Sequence, residues 1–99
     1  MARQFEVFQV PDGPLVAIIQ SDLLVGMRTR VVVPLLPPEV AGRPITRLTP
    51  VIELDGTMLV LMPQLIATLS LPELGTRVGS IAHAQEHVNR AIDTLLSGI

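Results

Sequence analysis

Through the first two thirds of the chain, apolar residues come in short runs, each closed by Pro, Gly or Asp. "QFEVFQV" (4–10) carries β-branched and aromatic side chains and predicts a strand. It stops at "PDGP" (11–14), where Pro11 presets a turn and Gly13 can accept a positive φ. "LVAIIQ" (15–20) then predicts the second strand of an N-terminal hairpin, and "VVVPLL" (31–36) a third strand. Pro34 has no N–H to give to a ladder, so this third strand is expected at an edge or with a bulge. "PPEVAGRPITR" reads as a loop with room for one helical turn.

The cleanest local signal is "TPVIELDGTMLVLM" (49–62). Asp55-Gly56 between two apolar runs predicts a two-residue hairpin, because both residues tolerate positive φ. "LIATLSL" (65–71) is short enough to be a strand or a connector, and "PELGTRVGS" (72–80) reads as a linker. From Ser80 the period changes. Ile81, Ala84, Val88, Ala91, Ile92, Leu95 and Leu96 fall on one stripe at three- and four-residue spacing, which predicts an amphipathic helix capped by Ser80 and ended by Gly98. The plan is one domain, residues 1–99: mainly β, a small twisted sheet or half-open barrel, with a C-terminal helix.

Composition narrows the function. The chain has 99 residues, 48% of them hydrophobic, yet Phe5 and Phe8 are its only aromatics. A mean hydropathy of +0.54 is high for so small a body, whose surface-to-volume ratio is large. An apolar surplus is expected at the surface, and with it a homodimer. Net charge is −2 and every base is Arg, which gives no electrostatic footprint for nucleic acid. The pairs Arg28 with Arg30 and Arg43 with Arg47 read as surface arginines in loops. Cysteine is absent, which excludes thiolate chemistry. No run approaches the length of a membrane span and "MARQFEVF" has no leader pattern, so a cytoplasmic location is expected.

"HAQEH" (83–87) has the His-x-x-Glu-His order of some zinc peptidases. Helical geometry puts His83, Glu86 and Arg90 opposite the apolar stripe, with His87 on the flank. A hydrolytic zinc needs a third ligand and a cleft, and the chain has no further His. The segment reads as a solvated helix face, with no metal or cofactor expected. No phosphate-binding loop or nucleophile elbow occurs, and Ser21-Asp22 reads as a turn or cap.

Taken together, "QSDLL" (20–24), "RVVVPLL" (30–36), "LTPVIELDG" (48–56), "LMPQLIATL" (61–69) and "AIDTLLSGI" (91–99) resemble the CcdB family in order and spacing. Those are toxins of toxin–antitoxin pairs, and the likeness runs from "QFEVF" to Ile99. It implies an SH3-like barrel with a C-terminal helix, a symmetric dimer, and a non-catalytic activity: poisoning DNA gyrase by binding its A subunit, with a partly disordered antitoxin as the neutralising partner. Carried over residue by residue, the gyrase-facing surface comprises Leu23, Leu24, Asp93, Leu96, Ser97, Gly98 and Ile99. Where the toxins compared have a Trp before the terminal Gly-Ile, this chain has Ser97, which offers no stacking area. Antitoxin contact is expected at the hairpin 5–19 and at the loop holding Arg43 and Arg47. Two alternatives stay open. One is a MazF-like endoribonuclease on the same barrel using Arg28, Arg30 or Thr46; the other is an inactive homologue that binds only its antitoxin.

Overall fold

The N-terminal hairpin pairs Glu6–Gln9 (β1) with Leu15–Ile18 (β2), Phe8 facing Val16. A computed structural model describes residues 2–98. The positive φ of the hairpin turn falls on Asp12, at 57°, and not on Gly13 as expected. Gly13 serves another need: a Cβ there would lie 3.0 Å from Val10 Cγ1, and its N–H donates to the Val10 carbonyl.

Thr29–Leu36 (β3) is the longest strand and lies inside the sheet, correcting the edge expected from Pro34. On one flank β3 pairs with β2, Pro34 opposite Val16. On the other flank residues 29–32 pair with Ala67–Ser70, and residues 35–36 pair with Val60 and Leu61. Pro34 sits at that change of partner. Its carbonyl accepts the Met62 N–H at 2.9 Å, and its missing N–H falls where no strand needs it.

One short helix, Pro38–Ala41 (α1), follows. Val51–Leu54 (β4) and Thr57–Leu61 (β5) form the expected hairpin, with Asp55 and Gly56 at φ 50° and 85°. Ala67–Ser70 (β6) is a strand, resolving the ambiguity at 65–71. Thr76–Ser80 (β7) is also a strand, where the sequence reads as linker. It pairs with β1 at the sheet's end, and at Gly79 a Cβ would come 2.8 Å from Leu54 Cδ1. The last element, Gln85–Ser97 (α2), follows a 3-10 turn over Ala82–Ala84, so the helix starts after Ala84 and not at the expected cap Ser80, whose Oγ accepts the Ala82 N–H instead. Gly98 ends α2 in the left-handed conformation, its N–H on the Thr94 carbonyl. The strand order is β4-β5-β3-β2-β1-β7, with β6 on β3, in a curled antiparallel half-barrel. No described helix is long and apolar enough to cross a membrane.

The curl buries both faces of the sheet. Val7, Ala17 and Val33 join Ile52, Leu54, Leu61, Ile81, Val88 and Ala91 in a larger core under α2. Their strand neighbours Phe8, Val16, Ile18 and Val32 form a second core with Ala2 and Leu74. Successive side chains of β1, β2 and β3 feed opposite cores, yet an apolar surplus remains at the surface as expected, with Val40, Ile45, Val51, Met58 and Leu65 all exposed. The helix stripe holds as far as Ile92, which is partly buried against the larger core. Leu95 is half-buried and Leu96 lies outside the stripe, exposed.

Candidate protein-binding surface

Residues 19–28 join β2 to β3 through a turn whose backbone is held by side chains. Gln20, almost fully buried, accepts the Val31 N–H at 3.1 Å and donates to the Leu24 carbonyl at 3.3 Å. Ser21 Oγ accepts the Leu23 N–H at 3.1 Å, capping the 3-10 turn Asp22–Leu24. Asp22 Oδ1 accepts the Gln4 N–H at 2.8 Å, tying the turn to the N-terminal segment. Each polar member of "QSD" thus closes a main-chain bond, which is what short polar side chains do at turns. The following Leu23 is 93% exposed, with Leu24 and Met27 about half exposed beside it.

Arg30 completes the clamp. Expected as a surface arginine in a loop, it is instead 2% exposed on a strand. The alternation of β3 turns its side chain to the same face as Val32, inward. Nε donates to the Ala2 carbonyl at 3.0 Å, Nη1 to Met27 and Thr29 at 2.7 and 2.8 Å, and Nη2 to Val25 at 2.9 Å. Gln20, Met27 and Arg30 are the members of this surface that sequence reasoning did not place. For Arg30 the parity with Val32 was the available signal.

The helix end forms the second feature. Asp93, Leu96 and Ser97 share one face of α2, at three- and four-residue spacing, and all three are exposed; Leu96 reaches 77%. Ser97 Oγ donates to the Asp93 carbonyl at 2.7 Å, so its hydroxyl is engaged within the helix. Glu86, Asn89 and Arg90 continue this face as an open hollow. Gly98 is exposed at the tip, and Ile99 lies outside the described residues. The turn bearing Leu23 is tied to the N-terminus and β3, whereas α2 rests on the Pro63–Leu65 turn. A single chain therefore presents two separately anchored apolar prongs, Leu23 and Leu96.

His83, Glu86 and His87 are all exposed, and among the described residues no three His, Cys, Asp or Glu are grouped to hold a metal. Arg28, Arg43, Thr46 and Arg47 are exposed in loops.

A family profile described as CcdB protein matches residues 4–98. No curated protein matches the chain. Among solved structures, an endoribonuclease in complex with its cognate antitoxin from a mycobacterial species superposes with a TM-score of 0.82 at 18% identity, over 97% of this chain and 95% of that one. A second mycobacterial endoribonuclease gives a TM-score of 0.81, also at 18% identity, over 95% of this chain and 89% of the other. At that identity the likeness establishes the fold alone.

Proposed function

Because the chain belongs to the CcdB family of toxin–antitoxin toxins, we propose that it acts by binding and not by bond-breaking, engaging the A subunit of DNA gyrase through Leu23, Leu24 and the end of α2. One observation carries the reading: a leucine 93% exposed on a turn braced by hydrogen bonds from Gln20, Ser21, Asp22 and Arg30. An exposed leucine on a floppy loop is ordinary. Held rigid, it is a preformed contact that loses little entropy on docking, and burying it supplies on the order of 1.5–3 kcal/mol. Leu96, on the scaffold of α2, supplies a second such contact. A toxin of this kind holds its target in one conformation, which requires higher affinity for that state than for the others. We place two chains in a two-fold dimer, so that prongs are presented in pairs, and a disordered antitoxin as the neutralising partner.

The endoribonuclease reading is supported by the names of the two structural neighbours. Of the residues considered for RNA contact, however, Arg30 already donates to four carbonyls in the protein's interior, leaving only Arg28 and Thr46 exposed. The net charge of −2 adds no attraction for phosphate. Titration calorimetry against purified gyrase A, beside incubation with total cellular RNA, separates the readings. Saturable gyrase binding with intact RNA is expected; discrete RNA fragments without gyrase binding would reverse the assignment.

A further inference from the structure

Buried cations in proteins are ordinarily paired with carboxylates, and Arg30 is not. Among the described residues no carboxylate forms an ion pair with it; its charge is met only by the carbonyl dipoles of Ala2, Val25, Met27 and Thr29. Three of those carbonyls belong to one five-residue stretch, which must bend around the guanidinium plane to point all of them inward. Gly26, the second residue of that stretch, has no atom within 4 Å of where a Cβ would stand, so no neighbouring side chain packs against the backbone on that side. The fourth carbonyl, Ala2, ties the same guanidinium to the N-terminal segment that also supplies the Gln4 N–H to Asp22.

From this convergence we infer that Arg30 is a positioning residue for partner binding: its guanidinium sets the conformation of residues 21–29 and so holds Leu23 and Met27 outward as a rigid apolar contact. The inference rests on the binding reading above and assigns to that surface the residue that shapes it without touching the partner. A planar fork with donors on three nitrogens can satisfy carbonyls arriving from several directions. A lysine, whose donors leave from one point, cannot. Arg30→Lys keeps the charge and removes the geometry, which makes it the informative substitution.

Two readouts test this. In the free protein, amide exchange of Leu24, Val25 and Met27, whose N–H groups donate to Ser21, Asp22 and Leu24, is expected to quicken by about tenfold or more in Arg30→Lys, with β1–β2 amides unmoved. With gyrase A as the probe, Arg30→Lys is expected to weaken binding about tenfold in the wild-type background but less than about twofold in Leu23→Ala, because the two changes remove one contact. A role confined to stability would not produce that coupling. Unchanged loop exchange in Arg30→Lys overturns the inference whatever gyrase does, and so do two independent, multiplicative losses of affinity. If wild-type protein fails to bind gyrase A, the functional reading falls, and the exchange data alone decide whether Arg30 sets the loop. Should Arg30→Lys not fold, exchange in the wild type decides the question. Loop amides protected like those of β3 support the clamp, and loop amides exchanging at free-peptide rates overturn it.

Discussion

Arg77 Nε donates to Glu6 Oε2 at 2.6 Å, joining the terminal strand β7 to β1 across 71 positions of sequence. The other carboxylate oxygen accepts the Arg3 N–H at 2.7 Å. Burial works to raise the Glu6 pKa, but the Arg3 amide and the Arg77 guanidinium together outweigh it and hold the group below its ordinary 4.5. An acid depressed on folding contributes stability above its unfolded pKa and loses it as pH falls through the folded value. Thermal melts should therefore show stability falling as the pH drops below about 4.5, with a flatter acid limb in Glu6→Gln. Glu73, lowered by the Ser70 amide and hydroxyl, acts in the same direction. Arg77 is half exposed, so at neutral pH the pair contributes less than about 1 kcal/mol. An acid limb identical in Glu6→Gln would show that Glu6 does not contribute to it.

Gly75 marks where the chain tolerates no side chain. Its φ is +79°, and a Cβ would stand 2.1 Å from the Gln9 carbonyl oxygen. Left-handed backbone alone costs a substituted residue about 1–2 kcal/mol, and here the obstacle is the main chain of β1. Gly75→Ala is expected to destabilise by about 3 kcal/mol or more in denaturant unfolding. Gly98 has similar φ, +73°, but open space around it, so Gly98→Ala should cost only about 1 kcal/mol. Equal costs at the two sites would show that φ, and not the close approach, governs Gly75.

Stability and binding should separate cleanly. Ile81 is fully buried beneath α2, its N–H on the Phe5 carbonyl at 2.8 Å. Ile81→Ala is expected to cost about 2–5 kcal/mol. Leu23→Ala and Leu96→Ala remove exposed side chains and should stay within about 0.5 kcal/mol of wild type, while weakening gyrase A binding. A large loss of stability in either leucine variant would mean that the prong is part of the fold.

Much of the architecture was legible because it rests on local chemistry. Asp55-Gly56 announced its hairpin, and the change to helical period announced α2 and its glycine terminator. Strand β7 was not legible: Val78 is the sole large apolar residue of Thr76–Ser80, and pairing with β1 is a main-chain matter. Pro34 misled in the opposite direction, since no local rule says that β3 changes partner at that residue. The candidate surface was legible only in part. "QSD" stood out through family likeness, but its work as a backbone brace depends on Gln4 and Val31, which only the fold brings near. Arg30 looked like solvent-facing charge because its four acceptors are carbonyls, which carry no signature in sequence; only its parity with Val32 on β3 pointed inward.

Ser97 leaves the helix tip aliphatic, with Leu96 as its exposed prong. Ser97→Trp adds a large rigid ring at that tip, the kind of anchor that contributes on the order of 2 kcal/mol at an interface. Gyrase A affinity is expected to rise at least about tenfold in Ser97→Trp, with the melting temperature little changed. No gain would place the partner contact on the Leu23 turn alone.

The most direct measurement is gyrase-mediated DNA cleavage in the presence of purified protein. Wild-type protein is expected to make cleaved DNA–gyrase complex accumulate in a dose-dependent way, whereas Leu23→Arg and Leu96→Arg, both folded, do not. Cleaved complex that builds up equally with either arginine variant, or that never builds up while cellular RNA is cut, would contradict gyrase binding through these two prongs.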